Sequence, residues 1–67
     1  MLKNNILEIR KKKGITQKQI ANAVGTTPQF ISKLELGISN PSLTKAFEIA
    51  RFLECGVEEL YSFEDDK

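Results

Sequence analysis

Gln29, Ser32 and Lys33 follow closely behind Thr27 and Pro28, and together they gather an amide, a hydroxyl and an ammonium around one short stretch. Gln can pair bidentately with an adenine edge, Ser can donate or accept, and Lys can donate to guanine or to a phosphate. Small, amide and cationic groups at the start of a helix therefore suit base edges and the DNA backbone. Other chemistry is poorly provided for. The chain has no histidine, its one cysteine, Cys55, sits in an apolar setting, and no carboxylate pair at helical spacing faces a plausible pocket. Catalytic residues are not expected, nor are a metal site, a cofactor or a small-molecule ligand.

The elements that must position those groups are helices. Apolar residues recur at helical spacing, and no alternating run is long enough for a substantial sheet, so the expected class is all-α. Residues 5–13 read as a first helix stacking Leu2, Ile6 and Ile9 with Leu7 beside them, ended by Gly14. The second begins at Gln17. Thr16 is its N-cap, Gln19 the capping-box partner, Ile15 a staple onto Ile20, and Gly25 the left-handed stop after Ile20, Ala21 and Val24. Thr27 and Pro28 start a third helix that buries Ile31 and Leu34 before Gly37. Ser42 caps a fourth, whose expected stripe is Leu43, Ala46, Phe47, Ala50 and Leu53; residues 57–61 read as one or two further turns.

The turn between the second and third helices is very tight. Helices that cross steeply after so short a link bring their backbones together, so the first needs a small residue to admit a bulky one from the second. Ala21 and Ile31 fit those roles, and residues 17–36 read as a helix-turn-helix whose polar leading end stays free. A structural hairpin without a ligand would also tolerate Ala and Gly here; the polar groups at the start of the third helix weigh against it.

With 67 residues and 40% hydrophobic content, the chain suits one domain spanning residues 1–67. A single cysteine forbids an internal disulfide, and the N-terminal apolar residues are interrupted by charges, so the expectation is a reduced, cytoplasmic protein with no membrane partner. The net charge of +1 conceals a division. Through residue 33, Lys3, Arg10, Lys11, Lys12, Lys13, Lys18 and Lys33 face Glu8 alone, whereas carboxylates dominate from residue 34 onward. One part could meet a polyanion while the other points away. Lys11 to Lys13 are read more simply as a solvated helix end.

The stretch ITQKQIANAVGTTPQFISKLELGISNPSLTKAFEIARFLECGVEEL resembles the phage repressor and Cro family of regulators, also called Xre-like, and the resemblance covers roughly residues 5–61. It rests on Thr16-Gln17, Ala21, Gly25, Ile31-Ser32, Glu35, Gly37, Asn40-Pro41-Ser42, Ile49-Ala50 and Leu53 in register. It implies a compact five-helix, lambda-repressor-like fold that binds double-stranded DNA. Gln17 would clamp a phosphate from the start of the second helix, next to Lys18, with Thr27 and Asn40 as further phosphate contacts. Pro28, Gln29, Ser32 and Lys33 match positions facing bases or the adjoining backbone, Gln29 and Lys33 being the direct readers. Arg10 and Glu35 match an ion pair that ties the first helix to the end of the third.

The sequence departs from the family pattern at Pro28, where a hydrogen-bonding side chain is common, and at Gly56, where a polar cap usually precedes the last helix. Phe30 is read as a packing residue rather than a thymine-methyl contact, and Cys55 as an inert, buried thiol. Short stand-alone members pair a strand before the first helix with one after the last and dimerise at that end. The resemblance implies a small ribbon from residues 1–3 and 61–63, with Leu60, Tyr61, Phe63 and Phe52 as interface candidates. The expected function is a homodimeric repressor on a palindromic operator, with half-sites about 10 bp or ~34 Å apart. A protein-interaction module such as an antitoxin is the alternative, though only a short acidic tail follows Tyr61 to hold a partner.

Overall fold

Side-chain hydroxyls start three of the helices. In the computed structural model, which describes residues 2–63, the order is β1 (Leu2–Asn4), α1 (Ile6–Lys12), α2 (Gln17–Val24), α3 (Pro28–Glu35), α4 (Leu43–Leu53), α5 (Val57–Leu60) and β2 (Tyr61–Phe63). Thr16 Oγ1 accepts from the Gln19 amide at 3.1 Å while Gln19 Oε1 accepts from the Thr16 amide at 2.8 Å, which satisfies two donors reciprocally at the start of α2. Thr27 Oγ1 accepts from Phe30 N and Ser42 Oγ from Lys45 N, each at 3.1 Å. The architecture is all-α with a two-stranded ribbon.

Ile6, Ile20, Ala21, Val24, Ile31, Leu34, Ile49, Ala50, Leu53 and Leu60 form one buried cluster to which all five helices contribute. Ala46, Ile49, Ala50 and Leu53 are the buried stripe of α4. This corrects the expected one: Leu43 and Phe47 are 74% and 57% exposed, and Ile49 is buried instead. The cause is that α4 carries apolar residues on two adjoining stripes, and packing against α2 and α5 covers only one of them.

The ribbon is antiparallel, pairing Leu2 with Phe63, Lys3 with Ser62 and Asn4 with Tyr61. Leu2 therefore belongs to β1, half exposed, and does not stack on α1. The share of the expected ribbon that falls on residue 1 lies outside the described residues. Leu60 is fully buried, so it belongs to the monomer's core and is unavailable to an interface; Phe52 and Phe63 are exposed and Tyr61 is half-buried. Asn4 fixes the ribbon to the helices: its Nδ2 donates at 2.8 Å to the Leu34 carbonyl at the end of α3, which also accepts from Gly37 N at 3.1 Å. Asn5 ties both its backbone N–H, to Leu60 O at 2.7 Å, and its side chain, to Glu59 O at 3.0 Å. These bonds, with Glu59 Oε1 accepting from Gly56 N, hold the last helix where the sequence offers no hydroxyl cap.

Candidate nucleic-acid interface

The link from α2 to α3 is made by Gly25 in the left-handed conformation (φ 71°), after which Thr26 N donates back to Ala21 O at 2.9 Å. A side chain other than glycine would be strained there. Ala21 and Ile31 are both fully buried in the core beneath this turn, while Ile20 and Leu34 face the same core. The consequence is a fixed orientation for the start of α3. Thr27, Gln29 and Lys33 are exposed there, and Pro28 and Ser32 are half-buried beside them. Phe30 is partly buried and packs against the core. Lys18 and Asn40 are exposed; Gln17 is half-buried at the first position of α2.

Gln17 is not free to wander. The Glu35 carboxylate accepts from Arg10 Nε, from Arg10 Nη2 at 3.2 Å and from Gln17 Nε2 at 2.9 Å. Arg10 also donates to the Ile15 carbonyl at 3.3 Å. The side chains of Arg10 and Glu35 are only 13% and 6% exposed, so this is a largely buried ion pair joining α1, the α1–α2 loop and the last residue of α3. Hydrogen bonding to Glu35 raises the Arg10 pKa further above its ordinary value, although burial pulls the other way. The Gln17–Glu35 bond has no counterpart in the sequence reading, because nothing local links residues 18 positions apart. Lys45 was likewise missed: its Nζ donates to the Val24 carbonyl at the end of α2 and pairs with Glu48 at 2.9 Å, anchoring α4 behind the turn.

The structure redraws the charge division. Lys11, Lys12 and Lys13 line a shallow hollow together with Glu8, Glu54 and Glu59, so the basic run is met by acids from the C-terminal half. Cys55 lies in the same hollow, half-buried, and burial followed by Glu59 pushes its thiol up. With Arg10 committed to Glu35, the exposed cations on α2 and α3 are Lys18 and Lys33.

Two short helices crossing at a small residue, with a polar leading edge on the second, define a helix-turn-helix DNA-binding domain. The helix-turn-helix family model matches residues 6–60, and the chain belongs to that Xre-like family of transcriptional regulators. It is 39% identical over 66 residues to an uncharacterized HTH-type transcriptional regulator of Archaeoglobus fulgidus, covering 98% of this chain and 94% of that one. A second such regulator, from Methanothermobacter thermautotrophicus, is 42% identical over 62 residues, 91% of this chain and 90% of its own. Among solved structures, a candidate DNA-binding protein from Bacteroides fragilis superposes with a TM-score of 0.86 at 26% identity, covering 92% of this chain and all of that one. The protein is accordingly a DNA-binding regulator and not an enzyme. No helix among the described residues is long and apolar enough to cross a membrane.

Proposed function

We propose that this protein is a sequence-specific repressor that acts in the cytoplasm as a single 67-residue domain and binds an approximately palindromic operator as a homodimer. The observation that carries the reading is the exposure of Gln29 and Lys33 at the leading end of α3, on a helix locked in place by the turn beneath it. A major groove admits one α-helix, and these two side chains read bases there. Pro28 and Ser32 sit against the adjoining backbone, and Thr27 and Asn40 contact phosphates.

The start of α2 holds a phosphate. Its Gln17 and Lys18 amides lack intrahelical partners, the helix dipole favours an anion, and Glu35 keeps the Gln17 side-chain amide in place for a second contact. Lys18 adds a cation. Two such domains related by a two-fold axis set their third helices in successive major grooves, and occupation of a promoter blocks transcription.

Electrophoretic mobility shifts over salt concentration and operator variants test the proposal. Gln29→Ala or Lys33→Ala should cost about 1–3 kcal/mol on the preferred operator and relax the preference at one base position. Gln17→Ala, Lys18→Ala or Asn40→Ala should weaken binding to all sequences alike. Equal binding of every sequence by the wild type removes base readout, and indifference to duplex at low ionic strength removes the DNA assignment.

A further inference from the structure

Asn4 holds two helices at once through one side-chain amide. Its Oδ1 accepts from Ile6 N, the first amide of α1, at 3.3 Å, while its Nδ2 donates to the carbonyls of Leu34 at 2.8 Å and Glu35 at 3.4 Å, the last two residues of α3. The amides of Leu36, Gly37 and Ile38 also bond to carbonyls at this end, but they belong to the loop that continues α3 and move with it. Asn4 comes from another element. It is half-buried in β1, where it pairs with Tyr61, and its neighbour Asn5 donates its backbone amide to Leu60 O.

The eight residues of α3 span about 12 Å. The Gly25 turn sets the leading end, and Ile31 and Leu34 bury one face. A helix held only there can pivot on its buried side chains. A swing of ~1 Å at the trailing end, about a pivot near the middle, turns the leading end by roughly 10°, which is enough to degrade a preorganised contact. The Arg10–Glu35 pair restrains the trailing end through a side chain, whereas Asn4 does so through the backbone.

We propose that Asn4 is a positioning residue for base readout: by pinning the trailing end of α3 to the terminal ribbon, it keeps the helix at the inclination that lets Gln29 and Lys33 meet base edges. The proposal rests on the DNA reading above and extends the reading apparatus to β1, β2 and α5, none of which supplies a DNA contact in that reading. Apparent affinity for a preferred sequence scales with the fraction of molecules whose α3 is so inclined. Phosphate contacts from the start of α2 do not depend on that fraction, so loss of the Nδ2 donor should lower sequence preference more than binding in general. A primary amide suits the place because it offers a donor and an acceptor together; a carboxylate keeps the acceptor for Ile6 N and presents no donor to α3.

Competition binding of the full chain at one salt concentration tests the role. The duplexes carry either one copy of a motif selected from a random pool or a scrambled sequence, so a second protomer does not enter the comparison. Asn4→Ala and Asn4→Asp should each lower the ratio of the two affinities by about fivefold, the equivalent of ~1 kcal/mol for one net hydrogen bond, with an unchanged far-ultraviolet spectrum. The charge added by Asn4→Asp weakens both duplexes alike and cancels in the ratio. Asn5→Ala, which removes the exposed side-chain bond to Glu59 O, should leave the ratio as in wild type whatever it costs in stability. Amide nitrogen relaxation of the free proteins should show motion gained in α3 by both Asn4 variants and none gained in α2. An unchanged ratio in Asn4→Asp beside a selective wild type, an equal fall in Asn5→Ala, or an α3 no more mobile in either Asn4 variant overturns the proposal. A wild type that prefers no sequence removes the base-reading assignment instead, and the relaxation of α3 then still decides whether Asn4 holds that helix.

Discussion

Glu35 gathers donors from Arg10 and Gln17 at a site almost closed to water, and that arrangement makes it valuable only while all of them are present. A buried pair contributes little net stability over an apolar substitute, whereas a stranded buried charge is expensive. Arg10→Met should therefore destabilise the fold by about 3 kcal/mol in urea unfolding, and Arg10→Met with Glu35→Leu should regain much of it. A full loss in the double variant would mean that the pair itself, and not the stranded carboxylate, sets the cost. Tyr61 makes the complementary case. Its hydroxyl is buried and has no hydrogen-bond partner among the described residues, so Tyr61→Phe should be neutral or stabilising by up to about 1 kcal/mol. Burial also raises the Tyr61 pKa above its ordinary 10.0. The folded state then keeps a proton that the unfolded state releases, and this contribution to stability, full below pH 10, is lost as pH rises through the folded value. Melting temperatures of wild type and Tyr61→Phe should accordingly diverge further above pH 10, with the variant falling less.

Among the elements, α4 is the one whose end is strained. It stops at Glu54 in the left-handed conformation, φ 58°, where Cys55 N returns to Ala50 O at 3.0 Å. A β-carbon is disfavoured there, and glycine is the usual residue. Glu54→Gly should raise stability by about 0.5–1 kcal/mol in chemical unfolding, and Glu54→Ala should not. No sequence signal marked that position, whereas the starts of α2, α3 and α4 were legible because a hydroxyl N-cap acts on an amide three residues on, and so writes itself into a short pattern. The stop at Gly25 was legible for the same local reason. The misreading of α4 has a different origin: periodicity reports that a helix has apolar stripes, but with two side by side only the neighbours decide which is covered. Phe47 and Ile49 both fit a helix; α2 and α5 chose Ile49. The Gln17–Glu35 bond and the docking of Asn4 beneath α3 join residues far apart in sequence, and they stayed invisible until the chain was folded.

For the molecule as a whole, the sequence suggested a basic half for DNA and an acidic half turned away, yet folding mixes the two. Lys11, Lys12 and Lys13 face a hollow shared with Glu8, Glu54 and Glu59, and Arg10 is paired, which leaves Lys18 and Lys33 as the exposed cations carried by the helix-turn-helix. Binding to DNA releases about one counterion for each phosphate that a cation neutralises, so the salt dependence counts those cations. If Lys18 and Lys33 are the ones that reach DNA, Lys18→Ala should lower the slope of log K against log salt by about one per protomer, and Lys33→Ala by as much when Lys33 meets a phosphate. Lys12→Ala and Lys13→Ala should leave the slope unchanged, despite removing the same formal charge. Fluorescence anisotropy of a labelled operator between low and physiological salt would measure all four. A uniform decrease for every lysine would mean that DNA senses only the total charge of the N-terminal half, and that α2 and α3 have no privileged place in the contact.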